Sequence, residues 1–162
     1  MKIKSFMTMM VAAAALVIGV CSCGDDDKDE PETPLAAQVV GSYTGTEILT
    51  VSGDDFEATP TYVFVKNTDT SVDFTIPASD GGAMVLPPLP VKGVALTKSG
   101  NTITGKLASY TGTVINASGL EKSYTVSDVT VIFSNNMVVV TYTLKYGNMP
   151  FDFVGQFTGA RI

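Results

Sequence analysis

The chain has 162 residues, of which 10 are basic and 16 acidic, with two cysteines and neither histidine nor tryptophan. The lack of histidine removes the most common general base and metal ligand of proteins. The net charge of −6 lacks the basic excess that nucleic-acid binding requires. We therefore predict no nucleic-acid partner, no metal and no cofactor.

The first 22 residues have the pattern of a lipoprotein signal peptide. Lys2 and Lys4 precede the apolar stretch Phe6–Val20, which is too short to cross a bilayer comfortably and is followed by Ser22-Cys23. Cleavage before a lipid-bearing cysteine requires a small preceding residue, so Cys23 is favoured over Cys21. We predict a lipid on Cys23 and attachment to the outer membrane. The cell surface is the favoured face, and the periplasmic face stays open.

Residues 23–35 read as an acidic, flexible tether. Six acidic residues lie between Asp25 and Glu32, and their mutual repulsion together with nearby prolines prevents packing. One interpretation is a solvated linker. The other is an address that sends a lipoprotein to the outer face of the outer membrane.

From residue 36 to residue 162 the pattern predicts one all-β domain. Threonine, valine and aromatic residues alternate with polar ones, and turn residues recur every eight to twelve positions. A bulge is predicted near Ser127-Asp128 and a tight turn at Asn135-Asn136. Thr61–Lys66 is apolar on both faces and predicts a covered strand. The predicted strands are Tyr43–Val51, Thr61–Lys66, 72–76, Val91–Thr97, 102–107, Ser109–Ile115, Tyr124–Phe133, Val138–Lys145 and 151–158.

The segment Pro77–Pro90 interrupts this rhythm with prolines and paired glycines, so it predicts a loop. It is unusually apolar for an exposed loop. It either packs as a lid over one end of the domain or lines an opening.

Several of these segments together resemble the calycin-like (lipocalin-like) β-barrel lipoproteins of Gram-negative bacteria. The resemblance rests on 39–46, 86–94, 100–105 and 148–159, and it extends over about residues 36–160. Tyr43 in Gly41-Ser42-Tyr43 stands where lipocalins have tryptophan, and Arg161 where they place an arginine over that ring. The resemblance implies a single antiparallel up-and-down barrel of eight or nine strands.

In such a barrel, strand alternation directs a set of aromatic side chains inward: Phe74, Phe133, Tyr142, Phe151, Phe153 and Phe157. Either they fill the barrel or they leave room for one small ligand. The first hypothesis is a non-catalytic binder of a small apolar or amphiphilic molecule. The alternative is a structural or accessory surface module that binds glycan or protein through its exterior and loops. An exposed aromatic row including Tyr62 or Tyr110 would favour the alternative.

Catalysis would have to use residues other than histidine. Asp54, Asp55 and Glu57 fall in a predicted turn and are best explained as solvated acids. Glu47 and Asp152, from different strands, would need to lie about 5–9 Å apart to act as a glycosidase pair, and nothing in the sequence brings them together. We predict no catalytic residues and no enzyme.

Overall fold

The computed structural model describes residues 32–79 and 85–162, which include most of a compact unit, Thr33–Ile162. The predicted signal peptide, Cys23 and nearly all of the tether lie outside the described residues. The predicted domain boundaries stay predictions.

Within the described residues, one short helix precedes nine strands. The helix α1 spans Leu35–Val39. No helix in the described ranges is long and apolar enough to cross a bilayer. The strands are β1 Gly41–Val51, β2 Asp54–Ala58, β3 Thr61–Thr68, β4 Ser71–Ile76, β5 Leu89–Ser99, β6 Thr102–Ile115, β7 Glu121–Ser134, β8 Met137–Tyr146 and β9 Phe153–Arg161.

Eight of these strands form a closed antiparallel barrel. From β3 to β9 each strand pairs with the next, and the pairing of β9 with β1 closes the ring. Strands β2 and β3 lie end to end along one edge of β1, β3 beside Gly41–Thr44 and β2 beside Glu47–Val51. Pro60, which lacks a backbone N–H, lies in the break between them. The predicted up-and-down barrel is confirmed.

The barrel packs its core with inward-facing side chains. On β8, for example, Val138, Val140, Tyr142 and Leu144 are buried while the intervening residues are not. Phe64 on β3 and Phe133 on β7 come from opposite sides of the ring, yet their ring centroids are 5.0 Å apart. Side chains therefore fill the interior at this level.

The two ends of the barrel are covered differently. At the α1 end, the helix buries Ala36 and Val39 against the core, and the strand connections are the short turns 69–70, 100–101 and 135–136. At the other end, here called the loop end, the connections are 52–53, 77–88, 116–120 and 147–152. Three of these four are longer than a tight turn.

Two local predictions are confirmed. Asn135 and Asn136 have φ of 49° and 63°, which is the backbone of a type I′ hairpin turn. Asp128 has φ of 54°, and the register between β7 and β8 shifts between Ser127 and Thr130. The bulge absorbs the slip in apolar phase along β7.

Four strand predictions need correction. The predicted strands at 102–107 and Ser109–Ile115 are one strand, β6, because its pairing with β7 keeps the same register on both sides of Ala108. Only one face of β3 is buried, and Val63 and Val65 are 45% and 51% exposed. The acids 54–57 belong to β2, since the turn closes at Ser52-Gly53. Strand β9 begins at Phe153, which leaves Phe151 in the preceding connection.

Candidate functional site

A glutamate lies inside the barrel. Glu47, on β1, has the same inward orientation as Tyr43 and is 7% exposed. It pairs across the closing seam with Phe157 of β9. A carboxyl group at such a position loses its hydration and must be compensated by the protein.

Two tyrosines supply that compensation. The Tyr62 hydroxyl on β3 donates to Glu47 Oε1, and the Tyr142 hydroxyl on β8 donates to the same oxygen at 2.9 Å. The two hydroxyl oxygens are 3.4 Å apart. The described residues contribute no hydrogen bond to Glu47 Oε2.

The environment holds both phenols in their protonated form. Burial is the largest cause and raises the pKa of Tyr62 and of Tyr142 well above the usual 10.0. Charge repulsion acts in the same direction, from Tyr142 and then Glu47 on Tyr62, and from Glu47 on Tyr142. Each hydroxyl therefore remains available as a donor to Glu47.

Aromatic rings pack against this cluster, and no basic group of the described residues forms an ion pair with Glu47. Tyr62 stacks on Phe157 with ring centroids 4.2 Å apart, and the Phe74 ring centroid lies 6.0 Å from that of Tyr62. Within the described ranges, the single ion pair is Lys66–Asp69 on the surface. The phenols alone compensate Glu47 there.

Toward the loop end, the inward side chains of β1 and β6 become half-exposed, whereas those of β7, β8 and β9 stay buried. Leu49 and Val51 continue the inward row of β1, and Phe56 pairs with Leu49 from β2 and is 42% exposed. Tyr110 and Val114 occupy the equivalent level of β6. We call these five residues the mouth.

The mouth exists because the barrel wall separates at this end. Among the described strands, β2 pairs only with β1, and β6 beyond Lys106 pairs only with β7. Two strand edges are thus left without a neighbour on one side, and the apolar side chains beside them are incompletely covered.

A buried hydroxyl without a partner also lies at the loop end. Tyr146, at the end of β8, is buried, and its hydroxyl makes no hydrogen bond within the described part of the chain. Burial raises its pKa. Its strand partner Tyr124 is satisfied by the carbonyl of Pro90 at 2.5 Å. An unpaired buried donor costs free energy that a ligand or water recovers.

The connection 77–88 contributes one buried side chain to the loop end. Ser79 and Leu86 form an isolated bridge, Leu86 is buried, and Val85 is 60% exposed. Residues 80–84 lie outside the described residues. The described flanks of this connection therefore cover part of the loop end.

The α1 end is closed by an arginine. Arg161 donates to the carbonyl oxygens of Gln38, at 3.2 Å, and of Val40. Its guanidinium carbon lies 5.9 Å from the Tyr43 ring centroid, so the contact implied by the family resemblance is present. A cleft of about 160 Å³ beside it is lined by polar side chains of the turns, including Asn101 and Asn135.

The outer wall carries a second concave surface. A groove of about 200 Å³ crosses β3, β4 and β5 and is lined by Val63, Val65, Asp73 and Lys92, among others. The Asp73 carboxylate accepts the backbone N–H of Gly93 at 2.9 Å. The carboxylate thereby satisfies the Gly93 N–H at the bulge where β5 bends.

The residues predicted for the barrel interior are placed as follows. Five are buried in the core, namely Phe74, Phe133, Tyr142, Phe153 and Phe157. Phe151 is half-buried in the connection before β9. Tyr62 is fully buried, so the expected exposed aromatic row cannot include it, and Tyr110 is half-buried in the mouth.

The acidic residues considered for catalysis do not converge. Asp152 is exposed, whereas Glu47 faces inward. Glu47 pairs with Phe157, which lies five residues beyond Asp152, a separation of about 16 Å along a strand. In the part of the chain that the structure describes, no three acidic, cysteine or histidine side chains could share a metal ion. Glu47 was missed as an interior residue, although its even spacing from Tyr43 signals the inward face.

Comparison with known proteins shows the fold. No family model matches the chain, and no curated protein is significantly similar to it. The chain is similar to the crystal structure of a "putative outer membrane protein" from Bacteroides fragilis NCTC 9343, with a TM-score of 0.62 and 20% sequence identity. The match covers 80% of this chain and 53% of that protein. The chain therefore spans about half the length of its structural neighbour.

Proposed function

We propose that this protein is a non-catalytic lipoprotein, anchored through Cys23, whose barrel binds a small apolar or amphiphilic molecule at the mouth. The observation that carries this proposal is the row of half-exposed apolar side chains that face inward at the loop end. Apolar surface that faces a concavity and is incompletely covered is typical of ligand sites.

The filled half of the barrel limits the size of the ligand. Phe64 and Phe133 meet across the interior near the α1 end, so the proposed ligand lies between the Glu47 level and the loop end. Two polar groups border that region, Glu47 below and the Tyr146 hydroxyl near the rim. This combination favours an amphiphile over a pure hydrocarbon.

An outer-membrane location is supported by the structural neighbour and by the character of the wall. The barrel directs apolar side chains inward and mostly polar ones outward, whereas a membrane-embedded barrel has an apolar outer band. A barrel of this kind therefore needs a separate anchor to stay at a membrane, and a lipid on Cys23 would supply that anchor.

Ligand binding is tested by native mass spectrometry of residues 33–162, which contain the described core and every described strand pairing. The fragment is incubated with 1-octanol. We expect a one-to-one adduct that Val51→Asp weakens at least about tenfold, because a charge in an apolar site opposes binding. Ile48→Asp, on the outward face of the same strand, is the matched control and should retain the adduct. Equal effects of the two variants would contradict a site at the mouth.

A second candidate function uses the outer groove. Val63 and Val65 form an exposed apolar strip beside Asp73 and Lys92, a mixture that suits a glycan or a protein segment. If Val63→Asp abolishes binding to a surface component while Val51→Asp does not, the exterior module is the correct function.

A further inference from the structure

We infer that the ligand carries a protonated amine, which binds the Glu47 carboxylate inside the barrel. This inference rests on the proposed ligand site and names the chemical class of its occupant: an organic ammonium ion with an apolar body.

The Glu47 carboxyl lies inside the barrel without a basic neighbour in the described ranges. Glu47 is only 7% exposed. The described residues place no lysine or arginine within ion-pair distance of its carboxylate. Two neutral phenols stabilise a carboxylate by hydrogen bonding but bring no positive charge to it. A buried charge without a counter-ion is costly, and a cation that enters the site removes that cost.

Hydrogen-bond geometry leaves a place for the cation. Both phenols donate to Oε1, and the described part of the chain offers no donor to Oε2. An ammonium group brings three donors and no acceptor. It can therefore satisfy Oε2 without competing for the phenol hydrogens.

The surrounding rings favour the same class. Tyr62, Phe157 and Phe74 lie together beside the carboxylate. Aromatic rings attract organic cations through their electron-rich faces, and more strongly in a desolvated site. A carboxylate ligand would meet repulsion from Glu47 in the same place.

The apolar part of the ligand has a defined path. From Glu47, the inward row of β1 continues through Leu49 to Val51 at the rim. These four residue steps correspond to about 13 Å of strand, a distance that a medium-length alkyl chain spans. The amine would therefore lie deepest and the alkyl chain would cover the mouth.

The test compares octylammonium, octanoate and 1-octanol by isothermal titration calorimetry at pH 7 on residues 33–162. We expect octylammonium to bind at least about tenfold more tightly than octanoate, as expected of one desolvated charge pair. In Glu47→Gln this preference should fall below about threefold, because Gln keeps the shape but not the charge. Binding of 1-octanol should change little.

Glu57→Gln, an exposed acid on β2, is the matched control and should keep the full preference for octylammonium. If wild-type protein binds 1-octanol and shows no preference for octylammonium over octanoate, the inference about the amine is overturned while the ligand site stands. If none of the three probes binds, the proposed ligand site itself fails.

Discussion

Glu47 illustrates how far a residue's environment can depart from what its type suggests. Acidic side chains in a threonine-rich strand ordinarily face solvent, but the alternation of β1 directs this one into the barrel beside Tyr62 and Tyr142. The strand phase was predictable from Tyr43–Val51. The phenol partners were not, because they come from strands distant in sequence whose register only the closed barrel determines.

The raised pKa values of the two phenols lead to a prediction at alkaline pH. Tyrosine titrates near 10.0 in the unfolded chain and well above it in the folded barrel. Below about pH 10 both states hold their protons and stability is unaffected. Above it the unfolded chain loses protons that the native state retains, so the free energy of unfolding falls as pH rises.

We expect Tyr62→Phe to reduce this alkaline slope by about 0.7 kcal/mol per pH unit on average between pH 9 and pH 11. Urea unfolding followed by circular dichroism between pH 9 and pH 11 measures the slope. Phe74→Leu, a core change without a titratable group, should lower stability by an amount that does not depend on pH. An unchanged slope in Tyr62→Phe would contradict the account of the cluster.

At the scale of elements, most strands followed from alternation because each has one face on the core and one on solvent. Strand β8, from Met137 to Tyr146, is the clearest case. The predictions failed where residue polarity does not indicate which face of a strand is buried or whether a segment pairs as a strand. Val63 and Val65 are apolar yet outward-facing, and the acids of β2 pair with β1 even though their composition suggests a turn.

The helix α1 was not predicted, because five residues are too few to show a helical period. Its sequence Leu35–Val39 is simply apolar enough to cover the barrel end. Tertiary packing stabilises a helix of this length, since isolated helices so short do not form in water.

The closing seam between β1 and β9 depends on two facing glycines. Gly45 pairs with Gly159, and a Cβ on Gly45 would overlap the backbone of Thr158 and Gly159. We expect Gly45→Ala to lower the free energy of unfolding by about 3 kcal/mol, as overpacking at a site bounded by backbone does.

Urea unfolding of the same fragment measures this effect, and Thr46→Ala on the outward face of β1 is the control, with an expected change below about 0.5 kcal/mol. A loss below about 1 kcal/mol in Gly45→Ala would show that the seam relaxes, and that the close approach of β1 to β9 is not required.

At the scale of the whole molecule, the barrel and its attachment were both predicted from sequence, but they rest on different kinds of evidence. The fold is observed in the described residues. The lipid on Cys23 remains a prediction, because Cys23 lies outside the described residues.

Membrane fractionation of cells that express the full chain tests the anchor. Cys23→Ala should move the protein from the membrane to the soluble fraction, because the acyl chains supply the membrane affinity. Cys21→Ala is the matched control and should remain with the membrane. Retention of Cys23→Ala at the membrane would overturn the proposed anchor.

The ligand class could be proposed only after the structure was known. The sequence predicted aromatic residues inside a barrel, but it could not distinguish a filled barrel from an open one. In the structure, Phe64 and Phe133 meet across the interior of the α1 half, whereas the side chains of the mouth are half-exposed. Strand β2 and the part of β6 beyond Lys106 each have a neighbouring strand on one side only. The side chains beside these two edges are therefore less covered than those at the α1 end.

The most direct test of the ligand site is methyl NMR of residues 33–162 titrated with octylammonium. We predict saturable shifts in the methyl groups of Leu49, Val51 and Val114, with Val63 and Val65 on the outer wall unaffected. Shifts confined to Val63 and Val65, or no saturable shift at all, would contradict a ligand site at the mouth of the barrel.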